Sequence, residues 1–224
     1  MKYFLNGISS IFLLLLVSGC SRYAGWVQEV FYQGNRVPTF LPSTKKYVRS
    51  LHVYDYLTTL AHFDALWLSD DIRTIYVGLQ AQNSCLNTCQ KEALCTRECA
   101  KNDTKTTFII LAWVKGATNT ELTDECPLWS MCLSVDCKCY QPCSIKICDL
   151  CPEYVAMFGR IFTRFKTAYV VQFDIGQDAL EDAGSFELRF NKIGLQTSVS
   201  WCLDSAGIPY TDSFDKNILM YDVK

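Results

Sequence analysis

The chain has 224 residues, 50% of them hydrophobic and 20% charged, with a formal charge of -2 at pH 7. This composition supports a sizeable core and excludes disorder over most of the length. No run of Lys or Arg exceeds Lys45-Lys46, so there is no basic field for nucleic acid, which is not an expected partner.

The first segment has the three-part layout of an export signal. Lys2 supplies positive charge, residues 8–17 are apolar except for Ser9 and Ser10, and Ser18 and Gly19 are small residues before Cys20. The apolar core is about half of the roughly 20 residues a helix needs to cross a bilayer. Val17-Ser18-Gly19-Cys20 resembles the lipobox of bacterial lipoproteins. The resemblance implies a signal peptide over 1–19, cleavage before Cys20 and acylation of that cysteine, with the membrane as partner through the acyl chains. Ser21 stands where an aspartate would retain such a protein at the inner membrane, which implies the outer membrane, facing the periplasm or the surface. Residues 20–46 contain Gly25, Gly34, Pro38 and Pro42 and read as a tether. Residues 47–224 are expected to form a single cysteine-rich domain.

Within that domain, Leu51 and Val53 alternate with His52 and Tyr54, a half-buried strand. A helical segment is expected over about 57–100. Ser69 is a suitable N-cap, Asp70 and Asp71 place negative charge in the first turn, and Ile72, Ile75, Tyr76 and Leu79 follow at helical spacing. Residues 107–114 suit a central strand. Period-two alternation then marks strands around Met131 to Val135, Ile145 to Ile147, Tyr169 to Ile175, Phe186 to Phe190 and Val199 to Leu203. Seven short strands with few helices between them predict an α+β, mainly β fold: an antiparallel β-sandwich-like domain with a cysteine-rich helical insertion.

Beyond Cys20 the chain has twelve cysteines, an even number, and in an exported protein disulfides are their default state. Cys85, Cys89, Cys95 and Cys99 form one block. Cys126, Cys132, Cys137, Cys139, Cys143, Cys148, Cys151 and Cys202 form a second group. Cysteines four apart on one helix have Cβ atoms about 6 Å apart, against the roughly 3.8 Å of a disulfide. A tight helical hairpin turning at 90–94 is therefore expected, with Cys85 bridged to Cys99 and Cys89 to Cys95. The pattern resembles the small two-disulfide hairpins called α-hairpinins. A four-cysteine zinc site, free thiols and bridges to an envelope partner are the alternatives. Cys132 and Cys202 fall on polar strand faces, suited to clipping loops across the outside of a sheet. Cys137 and Cys139 are too close to pair with each other and point to two outward pairings.

Two places could carry chemistry. Cys148-Asp149-Leu150-Cys151 precedes Pro152 and Glu153, the expected first turn of a short helix to about Phe158. Cys151 at its N-cap would have its thiolate stabilised by the helix dipole, as a redox cysteine requires. Thioredoxin-like proteins set C-x-x-C in a βαβ unit, whereas the pattern here is antiparallel β. His52 and His62 are the two histidines; on a helix, His62 and Asp64 would point away from each other, leaving His62 to pack beside Phe63 and Trp67. No nucleophile elbow, H-E-x-x-H or phosphate-binding loop occurs. The sequence therefore points to a lipid-anchored, disulfide-braced envelope protein with a binding or structural role and no catalytic residues or cofactor assigned. Cysteine-dependent zinc or copper binding, or thiol redox activity, is the alternative.

Overall fold

The computed structural model describes residues 41–55, 57–116, 122, 129–210 and 218–219. The proposed signal peptide, Cys20, most of the tether and Cys126 lie outside them. A 3-10 turn, Pro42–Tyr47, leads into β1 (Val48–Asp55) and β2 (Thr58–Trp67). The helices α1 (Asp70–Asn83) and α2 (Thr88–Cys99) follow, then β3 (Thr106–Val114), β4 (Ser130–Val135), β5 (Lys138–Tyr140) and β6 (Pro142–Ile147). The rest comprises α3 (Pro152–Phe158), β7 (Thr167–Phe173), α4 (Gln177–Ala183), β8 (Ser185–Lys192), β9 (Leu195–Leu203), β10 (Pro209–Tyr210) and β11 (Ile218–Leu219).

The strands form two sheets, ordered β11-β1-β2-β3-β7-β6 and β10-β9-β8-β4-β5. Pairing is antiparallel throughout except for the two-residue parallel contact of β1 with β11. The expected fold class is therefore the observed one, and every expected strand is present.

The sheets meet through aromatic side chains set by period two. Phe63 stacks on Phe190 at 4.3 Å and meets the edge of Trp129 at 5.2 Å. Trp67 meets Phe186 edge-on at 5.0 Å, and Phe108 lies within 6.2 Å of Phe173, Phe186 and Trp201. All of these rings are at most 2% exposed. Arg49 ties the sheets at one edge, its Nε donating to the Ser200 carbonyl at 2.9 Å. Trp201 Nε1 donates to the Tyr47 carbonyl at 3.1 Å.

The first sheet is also buried on its other face. The register aligns Leu66 with Ile109 and Asp64 with Leu111, and all four are at most 1% exposed. Helix α1 lies over this face, where Arg73 Nη2 donates to Thr107 Oγ1 at 3.4 Å. Arg73 is itself buried; its Nε donates to Asn102 Oδ1 at 2.7 Å, and its Nη1 faces Glu98 at 3.4 Å. Asn102 in turn donates to the Leu68 carbonyl, Asp70 and Gln177, so one polar network joins α1, α2, β3 and α4.

Two expectations are corrected. The helical segment starts at 70, and 58–67 is the central strand β2. Its two faces are both buried, which removes the apolar-polar alternation that marks a half-exposed strand. The hairpin turns at 84–87, and 90–94 lies inside α2. A capping box fixes the restart: Gln90 N–H donates to Asn87 Oδ1 at 2.9 Å while Asn87 N–H donates to Gln90 Oε1 at 3.0 Å. Cys89, Cys95 and Cys99 therefore share one helix with Cys85 in the turn before it, and the hairpin does not set Cys85 opposite Cys99 or Cys89 opposite Cys95.

Because Phe108 contacts Phe186 and Trp201 across the sandwich and Phe173 in its own sheet, Phe108→Ala should lower the unfolding free energy by about 3–5 kcal/mol. Urea denaturation checks this; a loss below about 1 kcal/mol would mean that the sheets do not meet there.

Candidate functional site

On a strand, side chains two apart share a face, so β2 brings His62 and Asp64 together. His62 Nε2 lies 3.0 Å from Asp64 Oδ1. Across the ladder, β1 places Ser50 opposite Asp64 and His52 opposite His62. Ser50 Oγ donates to Asp64 Oδ1 at 2.5 Å, and the two imidazole rings lie with centroids 3.7 Å apart. Lys166, from the segment leading into β7, donates to Asp64 Oδ2 at 2.6 Å and to the Ile161 carbonyl at 3.0 Å.

Asp64 is fully buried, and Lys166 is 8% exposed in its side chain. Burial alone would raise the Asp64 pKa, but hydrogen bonds from His62, Lys166 and Ser50 outweigh it and hold the carboxyl below its ordinary value. His52 is shifted down, first by burial and then by His62 and Lys166, against the pull of Asp64. Tyr54 stacks on its other side, 6.2 Å away. The bond order here is serine to carboxylate to imidazole. Ser50 donates its hydrogen bond to Asp64 and not to an imidazole, and the arrangement differs from a Ser-His-Asp triad, in which the imidazole stands between. The cluster is a buried carboxylate satisfied from three segments. The sequence held the signal for it, an H-x-D spacing that becomes a pair once 58–67 is a strand.

The cysteines are distributed more widely. Cys132 and Cys139 form a disulfide between adjacent strands, with Cα atoms 6.0 Å apart. Cys139 thus pairs outward as expected, while Cys137 sits in the two-residue turn with Asp136. Both turn residues have positive φ, 46° for Asp136 and 62° for Cys137, as a tight hairpin turn requires. Cys202, the other cysteine suited to clipping loops across the outside of a sheet, is partly buried and unbridged. Cys85, Cys89, Cys137 and Cys143 are exposed and unbridged; Cys95, Cys99, Cys148 and Cys151 are partly buried and unbridged. Cys95 and Cys99 are neighbours on α2, where burial, Asp70 and Cys95 push the Cys99 thiol up to about 11.

Cys151 is at the N-cap of α3, as expected. The expected thiolate stabilisation is overturned. Burial and Glu153 raise the Cys151 pKa against the backbone N–H groups that lower it, and burial, Asp149 and Cys151 raise that of Cys148. Among the described residues no three His, Cys, Asp or Glu side chains form a group able to hold a metal ion, and no helix is long and apolar enough to cross a membrane.

No protein-family model matches the chain, and no curated protein matches it. Among solved structures it is similar to a novel protein of unknown function from Burkholderia pseudomallei K96243, at 10% identity and a TM-score of 0.34, over 78% of this chain and 80% of that one.

Removing the carboxylate while leaving Lys166 in place strands a buried cation, so Asp64→Asn should cost about 3–5 kcal/mol in urea denaturation. A cost below about 1 kcal/mol would show that water reaches Lys166. Because the His52 pKa lies below its unfolded value of about 6.5, the unfolded chain binds the proton first. Stability is therefore full above about pH 6.5 and falls as the pH drops through the folded His52 pKa. His52→Gln should flatten that slope, and an unchanged pH profile would sink the assignment.

Proposed function

We propose that this chain is an exported bacterial envelope protein, anchored by lipid on Cys20, whose disulfide-braced β-sandwich acts by binding or structural support. The observation that carries the proposal is the stretch LLLLVSGCS at residues 13–21, an apolar run too short to span a bilayer and ending in small residues before a cysteine. One acyl chain gives marginal membrane binding at about 0.8 kcal/mol per buried methylene, whereas the several chains of a lipoprotein hold stably. Ser21 favours the outer membrane.

Two structural features agree with this reading. The Cys132–Cys139 bridge belongs in an oxidising compartment, which is where an export signal leads. The four exposed, unbridged cysteines, Cys85, Cys89, Cys137 and Cys143, stand where a partner's thiol could reach them, so cross-links to an envelope protein are part of the proposal. The thiol-redox alternative loses its electrostatic support, since burial raises both thiols of the C-x-x-C pair.

Cys20→Ser removes the thioether donor and should abolish acyl labelling and release the protein from the membrane fraction. Intact mass of the native protein, before and after reduction, should give a diacyl or triacyl increment at Cys20, with thiols emerging on reduction. An unchanged membrane fraction and label in the variant would overturn the anchor. Fully reduced native protein carrying stoichiometric zinc or copper would replace bracing by metal binding.

A further inference from the structure

Five large hydrophobic side chains are exposed among the described residues, and four of them, Leu57, Ile147, Phe165 and Ile193, lie at one end of the sandwich. In the first sheet that end is where β2 and β7 begin and β3 and β6 finish, since Ala61 pairs with Val114, Ala112 with Thr167 and Ile147 with Tyr169. In the second sheet it is where β8 turns into β9. The two ends coincide, because Phe63 stacks on Phe190 and Trp67 meets Phe186, so the run of β2 back to Thr58 matches the run of β8 out to Lys192. The fifth residue, Tyr210, pairs with Cys202 at the opposite end.

Three of the four sit inside tight turns. Asp55 pairs with Thr58 and Lys192 with Leu195, which leaves Leu57 and Ile193 in two-residue turns, 97% and 103% exposed. Lys166 N–H donates to the Thr163 carbonyl at 3.2 Å, which places Phe165, 75% exposed, in a third turn. Such positions ordinarily take Gly, Asn, Asp, Pro or Ser, whose backbone or side chain favours the turn. Leucine, phenylalanine and a β-branched isoleucine do nothing for a turn and leave apolar surface in water, so local folding does not account for them. Their convergence at one end sets them apart from the scattered single hydrophobics that any surface carries.

Cations stand beside these side chains in the sequence. Lys146 precedes Ile147, Arg164 precedes Phe165 and Lys192 precedes Ile193, and all three are exposed. Such pairs match a bilayer interface, where an apolar side chain enters the acyl region while its charged neighbour stays among the phosphates. Asp55, Asp149 and three acids in the connection from β3 to β4, Glu121, Asp124 and Glu125, offset the cations, so the apolar tips supply the affinity. We propose that this end of the sandwich docks on a phospholipid bilayer, with Leu57, Phe165 and Ile193 entering the interface and Arg164 and Lys192 meeting lipid phosphates. The proposal rests on the lipid anchor only for which bilayer is met. The chain from Cys20 to Leu41 can reach about 70 Å, more than the roughly 33 Å of a ten-residue strand such as β2, so the anchor and this end can share one membrane. Three tips hold weakly and would not keep an unanchored protein on a membrane through a wash; acyl chains supply the local lipid concentration at which they act.

Cosedimentation of the full chain carrying Cys20→Ser, which lacks acyl chains, with vesicles of phosphatidylethanolamine and phosphatidylglycerol tests this. The bound fraction should rise with lipid and be half complete at millimolar concentration. The triple variant Leu57→Ser, Phe165→Ser, Ile193→Ser should need about tenfold more lipid or beyond, with an unchanged thermal midpoint, since all three side chains are already in water. Tyr210→Ser, at the opposite end, should bind as the parent does. No binding at millimolar lipid, equal binding by the triple variant, or an equal loss in Tyr210→Ser would overturn the proposal. So would a dimer in sedimentation equilibrium that the triple variant abolishes, because a second copy would then cover this end. Acyl labelling plays no part in these measurements, so failure of the anchor at Cys20 and failure of the docking end are told apart.

Discussion

The structure depends on one interface, the layer of aromatic rings pressed between the two sheets. Phe63, Trp67 and Phe108 from one sheet and Phe186, Phe190 and Trp201 from the other are all nearly inaccessible to water. Each large ring brings 150–250 Å² of surface out of solvent, and edge-on and offset contacts add to that burial. Because the rings sit at alternate positions of β2, β3, β8 and β9, a register slip of one residue would turn a whole row of them outward. The aromatic layer thus fixes which side chains point to the opposite face of each strand, and so fixes the polar sites as well.

That consequence is sharpest on β2. Its inward row is Ala61, Phe63, Ala65 and Trp67, so its outward row must contain His62, Asp64 and Leu66. The outward row is also covered, and a buried carboxylate is tolerable only when its oxygens are satisfied and its charge is balanced. Ser50, His62 and Lys166 meet that demand from β1, from β2 itself and from the segment before β7. The Asp64 cluster is therefore a consequence of folding an H-x-D segment into a doubly buried strand, and it clamps the β7 approach to the centre of the sheet. The close packing of His52 against His62 extends this cluster toward solvent and gives it a sensitivity to acid.

Much of the fold was legible because most strands are exposed on one face. The alternation at Phe186 to Phe190 and at Val199 to Leu203 survives into β8 and β9, where buried and partly exposed positions take turns. The helix from Asp70 to Asn83 was legible through its acidic first turn and apolar spacing. β2 was not, since burial on both faces erases the period-two signal and leaves Leu60, Phe63 and Trp67 at a spacing that imitates a helix. The error propagated to chemistry: once 58–67 is read as helix, His62 and Asp64 separate and the cluster disappears. The hairpin failed differently. Cysteine spacing suggested a turn at 90–94, while Asn87 and Gln90, an N-cap and its reciprocal partner, marked the actual start of α2.

Two groups of acids in the molecule are handled in opposite ways, and burial is what separates them. Asp64 is buried, and every donor it needs comes from within the chain, leaving little for a ligand to do there. Asp71 and Glu181 are exposed, and each takes a single neutral donor, the Tyr47 hydroxyl and the Gln177 amide, with water free to solvate the rest of the carboxylate. An exposed carboxylate needs no cation from the chain, whereas the buried one does, so the ion pair is placed where desolvation would otherwise be costly.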